Sequence, residues 1–157
     1  MYVDNNLIVS GGVSAAGAVT FQTVTGAAGT GILSTNTVDL GVARDIGAGA
    51  DLFLRCEVGT AFTGLTTLDL EAIIADDAAL TTNVTTIGEL KGIPLAALVA
   101  GARFAIDLSP QLGSSGRRYL GARFTPQGAA GTAGTLFADF GIDTSDAKAY
   151  ASGFSVI

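Results

Sequence analysis

The chain has 157 residues, of which only 14% are charged; it carries a formal net charge of −6, no histidine and a single cysteine. That length suits one domain with a real core and no staples, and an acidic chain with scattered cations lacks the basic footprint that nucleic acid or an anionic membrane requires. The missing histidine excludes Ser-His-Asp and Cys-His catalysis and most zinc sites, and the lone Cys56 excludes an intrachain disulfide.

Hydrophobic residues make up 48% of the chain, to which 22 glycines are added. A typical domain holds about 45–50% for both together. A small domain cannot hide that much apolar material in itself, so part of the surface is expected to be covered by other chains. The N-terminus has no positively charged region that would mark a signal peptide. The longest apolar run, residues 93–102, is far short of the ~20 needed to span a bilayer. The chain is expected to be made in a cytoplasm and to stay soluble.

In chain order, residues 11–17 and 26–31 read as Gly/Ala/Thr loops. A weak strand at 18–24 carries Val19 and Phe21 inward, and a second at 36–42 carries Val38 and Leu40. Gly26–Gly31 lacks the Lys-Ser/Thr of a phosphate loop. The glycine-rich bend after Asp39 contains Arg44-Asp45. There Arg44 either pairs with Asp39 or Asp45, or faces a partner. Strict period-two alternation begins at 52–58, where Leu52, Leu54, Cys56 and Val58 face in, and Cys56 reads as a small buried hydrophobe. At 68–75, Leu68, Leu70, Ala72 and Ile74 face in while Asp69 and Glu71 face out. The acidic turns Asp76-Asp77 and 143–146 could offer oxygens to calcium, but neither has defined ligand positions. A strand at 84–90 follows. Residues 93–101, with Pro94 near the start and Gly101 at the end, predict a short crossover helix. Strands at 102–108, 118–125 and 135–143 turn Ala102, Phe104, Ile106, Leu108, Leu120, Ala122, Phe124, Leu136, Ala138, Phe140 and Ile142 inward; the last two of them are joined by a glycine loop at 128–134.

One apolar and one wet face per strand, broken by Gly, Ser, Thr, Asn and Asp, predicts an all-β antiparallel sandwich, a jelly roll of about eight strands with one short crossover helix. Residues 1–33 form a Gly/Ala/Thr-rich N-terminal segment with a first strand, and 34–157 form the jelly roll, a single domain overall. No catalytic, cofactor or metal residues are assigned. Asp69, Glu71, Asp107, Asp139 and Asp143 stand outward with no pair set apart, so an enzyme is not expected. Phe53, Ile73 and Phe137, placed outward, are candidates for a patch buried between chains. Without histidine, stability is expected to be nearly flat from about pH 5.5 to about 7.5.

The stretch Ser34-Thr35-Asn36-Thr37-Val38-Asp39-Leu40-Gly41, followed by Ala43-Arg44-Asp45-Ile46-Gly47 and Gly49, resembles the capsid cement, or decoration, proteins of tailed bacteriophages. It is nearest the type on the head of a Bordetella podovirus. Ala61-Phe62-Thr63, Asp76-Asp77, the run 93–101 and Arg118-Tyr119-Leu120 follow in order, so the resemblance covers roughly residues 34–143. It implies a jelly roll, a homotrimer, and binding outside an icosahedral shell at threefold positions between hexamers and pentamers of the major capsid protein. It brings no catalytic or cofactor residue. Residues 10–33 depart from the family pattern as a longer insertion. The candidate interface or bend is therefore Asp39, Arg44, Asp45, Phe53, Ile73, Phe137, Arg118 and Tyr119. The alternative is a carbohydrate- or surface-binding module of a fibre or cell-surface protein, which the absence of Trp and the presence of only Tyr2, Tyr119 and Tyr150 disfavour.

Overall fold

Leu54, Cys56 and Val58 alternate with Phe53, Arg55 and Glu57, and this alternation gives the first sheet its buried and outer faces. The computed structural model describes residues 5–44, 51–108 and 116–142. It contains β1 (Ile8–Ser10), β2 (Gly12–Val13), β3 (Val19–Thr20), β4 (Gln22–Thr23), β5 (Ile32–Leu33), β6 (Val38–Arg44), β7 (Phe53–Thr63), β8 (Thr67–Ala75), β9 (Thr85–Pro94), β10 (Arg103–Asp107), β11 (Arg117–Gln127) and β12 (Ala133–Gly141). Every pairing is antiparallel.

One sheet runs β1-β12-β7-β10, with β4 also on β12; the other runs β5-β11-β8-β9, with β6 also on β11. β1 and β4 share one edge of β12, at Ser10↔Ala138 and Gln22↔Leu136. β5 and β6 likewise share one edge of β11, at Arg123↔Leu33 and Leu120↔Val38. The sandwich thus has eight strand positions in jelly-roll order, and two of its edges are each built from two short pieces. Residues 8–33 supply edge strands to both sheets. Between the sheets lie Val9, Val24, Leu54, Leu70, Ile74, Phe124, Leu136 and Phe140, all essentially inaccessible. Each such burial stabilises the fold by about 1.5–3 kcal/mol before entropy is counted. Cys56 sits in this core, where burial and then the nearby Asp139 push its thiol up to about 12.

Four expectations need correction. Ile142, expected inward, lies just past the end of β12 and is 69% exposed. Residues 93–101 are not a helix. Ile93 and Pro94 end β9 opposite Leu68 and Thr67, and only Leu95–Ala97 make a 3-10 turn. The Leu95 amide donates to Thr66 O at 3.1 Å, which holds the segment extended, and buried Leu98 then drops into the core. The strand expected at 18–24 is split. Val19 lies on a projecting two-stranded ribbon with β2 and is 48% exposed, while Phe21 turns onto the outer face of the first sheet. Finally, β8 is buried on both faces: Asp69, Glu71 and Ile73 are all shielded although they point away from the core.

Candidate interaction surface

Asp39, Arg118 and Tyr119 meet on the β6–β11 edge, where Tyr119 stands opposite Asp39 in register. Arg118 clasps the Asp39 carboxylate as a fork, Nε to Oδ1 at 2.7 Å and Nη2 to Oδ2 at 2.8 Å, and its guanidinium lies 5.0 Å from the Tyr119 ring centroid. The Gly41 amide donates to Asp39 Oδ1 at 2.8 Å. Arg118 first, and this amide second, hold the Asp39 carboxyl down at about 2. The described partner of Asp39 is therefore Arg118; the backbone of Arg44 stands opposite Arg117, and its side chain lies outside the described residues. Asp45 lies outside the described residues.

Phe53 is half-buried at the start of β7. Ile73 and Phe137 are buried, which corrects their placement on an exposed patch. Phe137 meets Phe21 edge to face, with centroids 6.4 Å apart and planes at 71°. Ile73 and Ala75 lie beneath Leu80, with Leu33, Val84 and Tyr119 packed around them. Leu80 belongs to a strap between β8 and β9 and adopts φ 57°, a left-handed conformation that is costly for a bulky side chain. Gly121 leaves the space it fills, since a Cβ there would overlap Leu80 Cδ1.

The acidic pair Asp76-Asp77 fastens this strap. Asp77 accepts from the Thr81 amide at 2.9 Å, the Thr82 amide at 2.6 Å and the Thr81 hydroxyl at 2.8 Å. These donors, the Thr82 amide foremost, lower its pKa. Asp76 accepts from Asn83 Nδ2 at 2.6 Å and pairs with Arg117 at 3.4 Å. Among the described residues no three His, Cys, Asp or Glu side chains are grouped to hold a metal ion. Residues 143–146 lie outside the described residues.

A shallow hollow of about 290 Å³ opens on the same outer face, lined by Gly29, Gly31, Asp69, Glu71, Lys91, Arg123, Thr125 and Gln127. Its charged groups are engaged within the chain. Arg123 forks onto Glu71 at 2.6 and 3.0 Å, and Asp69 accepts from Gln127 Nε2 at 2.9 Å and the Gly92 amide at 2.8 Å. On the opposite sheet Asp139, with 0% exposure, is held by Arg55, whose Nε donates to Oδ1 at 3.0 Å. Burial raises the Asp139 pKa, against the opposing pull of Arg55. Every Lys and Arg with a described side chain is paired with a carboxylate of this chain: Arg55–Asp139, Lys91–Glu89, Arg103–Glu57, Arg117–Asp76, Arg118–Asp39 and Arg123–Glu71.

The most distinctive surface carries no charge. No Asp, Glu, Lys or Arg occurs between Asp4 and Asp39. Within that stretch residues 13–20 are all exposed, and the β2–β3 ribbon sets Val13 against Val19 at 38% and 48% exposure. The expected site residues miss this surface entirely. The signal that would have found it is the long uncharged interval, which alternation of apolar residues does not register. In comparisons with known proteins, a family model described as Bbp16 matches residues 13–140. No curated protein matches the chain.

Proposed function

The chain belongs to the Bbp16 family, whose name points to a Bordetella phage protein, and from that premise we propose that it is a decoration protein of a phage head. It binds the outer surface of the icosahedral shell and holds neighbouring capsomers of the major capsid protein together, as a homotrimer. The observation that carries this reading is the uncharged interval of residues 5–38, of which residues 13–20 are all exposed, on a jelly roll whose described cations are all occupied internally. Such a surface docks through apolar and backbone contacts. Each contact is weak, but repetition over a symmetric shell multiplies them, and avidity can exceed single-site affinity by about 10²–10⁴.

The test is co-sedimentation of the purified chain with matching shells stripped of it, together with the melting temperature of those shells. Saturable binding and a higher shell melting temperature are expected. Shells that neither bind the chain nor gain stability would refute the proposal. A carbohydrate-binding role draws its support from the polar hollow, yet that hollow has no aromatic platform and its carboxylates are already engaged. A glycan screen showing specific binding there would favour it.

A further inference from the structure

We infer that the β2–β3 ribbon is the docking arm, and that it adds strands to an open, uncharged strand edge of the shell protein; this rests on the shell-binding reading above. The ribbon leaves the first sheet after Ser10, opposite Ala138, and the chain rejoins it at Gln22, opposite Leu136. The two attachment points are neighbours on β12, so the excursion between them is no part of the sandwich ladder. Gly11, at φ 80°, makes the exit, where a Cβ would run into Thr20 O.

An isolated two-stranded ribbon is marginal in water, yet this one is well formed. The Ser14 amide donates to Ala18 O and the Gly17 amide to Ser14 O, each at 2.8 Å, and the Thr20 hydroxyl donates to Gly12 O at 3.2 Å. Among the described residues β2 pairs with β3 alone, so neither outer edge of the ribbon has a described strand partner. A preformed pair of strands with open edges and an exposed Val13/Val19 pair has the chemistry of strand addition, in which backbone hydrogen bonds provide affinity and side chains provide fit.

Charge and size point to the occupant. The ribbon is neutral while the whole chain carries −6; an uncharged partner edge suits it and a charged one loses solvation without return. A stable pair of copies needs roughly 1,600 Å² of interface, about 20–30 residues a side, and the ribbon is only residues 12–20. A repetitive shell does not need a strong single contact. The shell, not a second copy, is therefore the partner.

The experiment measures binding of three proteins to stripped shells: the unaltered chain, Val13→Asp/Val19→Asp, and a deletion of residues 12–20 that joins Gly11 to Phe21. Both variants are expected to keep the parent melting temperature and to bind about tenfold or more weaker. Binding of the unaltered chain should hold between about 0.1 M and about 1 M NaCl, because no ion pair is screened. If the unaltered chain binds and both variants bind as well, the arm is wrong and the decoration reading stands. If the unaltered chain does not bind, both fall. Binding lost at high salt overturns the uncharged contact. A drop in solution mass on deleting the ribbon, read by light scattering, overturns the shell in favour of a second copy.

Discussion

Replacing Arg55 by Met tests the buried pair on the first sheet. The substitution keeps the aliphatic stem over Gly141, where the guanidinium now lies, and removes the only cation on Asp139 among the described contacts. The Asp139 side chain is 1% exposed, against 14% for Arg55. Removing the arginine therefore strands the more buried partner, the costlier of the two changes, at about 3–5 kcal/mol. Each kcal/mol lowers the melting temperature of a domain this size by about 2–4 °C, so a drop of roughly 6–20 °C is expected. Asp139→Asn instead leaves a guanidinium that can still reach water, and costs about 1.5–3 kcal/mol. Arg55→Met/Asp139→Leu should recover most of the loss, since an apolar pair replaces a buried ionic one at little net cost.

The pH dependence has a definite sign. Burial raises the folded pKa of Asp139 above its unfolded value. The folded state then binds the extra proton, and stability falls as pH rises from the ordinary carboxylate range through the folded pKa. Arg55 opposes that shift, so the expected flatness near neutral pH depends on it. In Arg55→Met the window extends upward, and the variant should melt higher at pH 5 than at pH 7. Urea and thermal melts at both values measure this. A loss under about 1 kcal/mol with no pH dependence would refute the burial of Asp139.

The other predictions concern the opposite sheet and the assembly. Arg118→Ala should leave the melting temperature in place, because both partners of that fork face solvent. It should also return the Asp39 carboxyl from about 2 toward its ordinary value, read by NMR titration. Asp39's contribution is present above the unfolded carboxylate pKa and is lost as pH falls through about 2, so an unmoved titration would contradict the assigned pairing. Gly121→Ala should overpack the strap and cost about 1–3 kcal/mol, with faster amide exchange at Thr81 and Thr82; unchanged exchange would mean Leu80 is not seated there. Light scattering should give three times the chain mass, and a clean monomer at micromolar concentration would remove the inference from excess apolar surface.

Much of the sandwich was legible because alternation reports faces directly. Leu54, Cys56 and Val58, Leu120, Ala122 and Phe124, and Leu136, Ala138 and Phe140 all lie inward as their spacing predicts. Alternation does not report what covers the outer face. Ile73 and Phe137 do point away from the core, but Leu80 and Phe21 close over them from loops whose own sequences carry no period. Pairing across the sheet was likewise hidden: Asp39 and Arg118 are 79 positions apart and meet through the β6–β11 register alone. The ribbon escaped because its strands, Gly-Val and Val-Thr, are too short to show a period, and residues 14–18 between them, all Ser, Ala and Gly, have the composition of a loop.

The divided sheet margins have a consequence for the protein before it reaches any partner. A chain this apolar and this rich in glycine has to avoid sticking to its own copies while it accumulates. Long, flat, unpaired strands are the usual route to ordered aggregates. Here one margin is β1 and β4 with the ribbon between them, another is β5 and β6, and the third is β10, only five residues long. The fourth, β9, breaks register with β8 twice, carries Glu89 and Lys91, and ends on Pro94. None of the four offers a long, regular template, so the architecture keeps the fold's capacity for strand addition in the ribbon and denies it to the body.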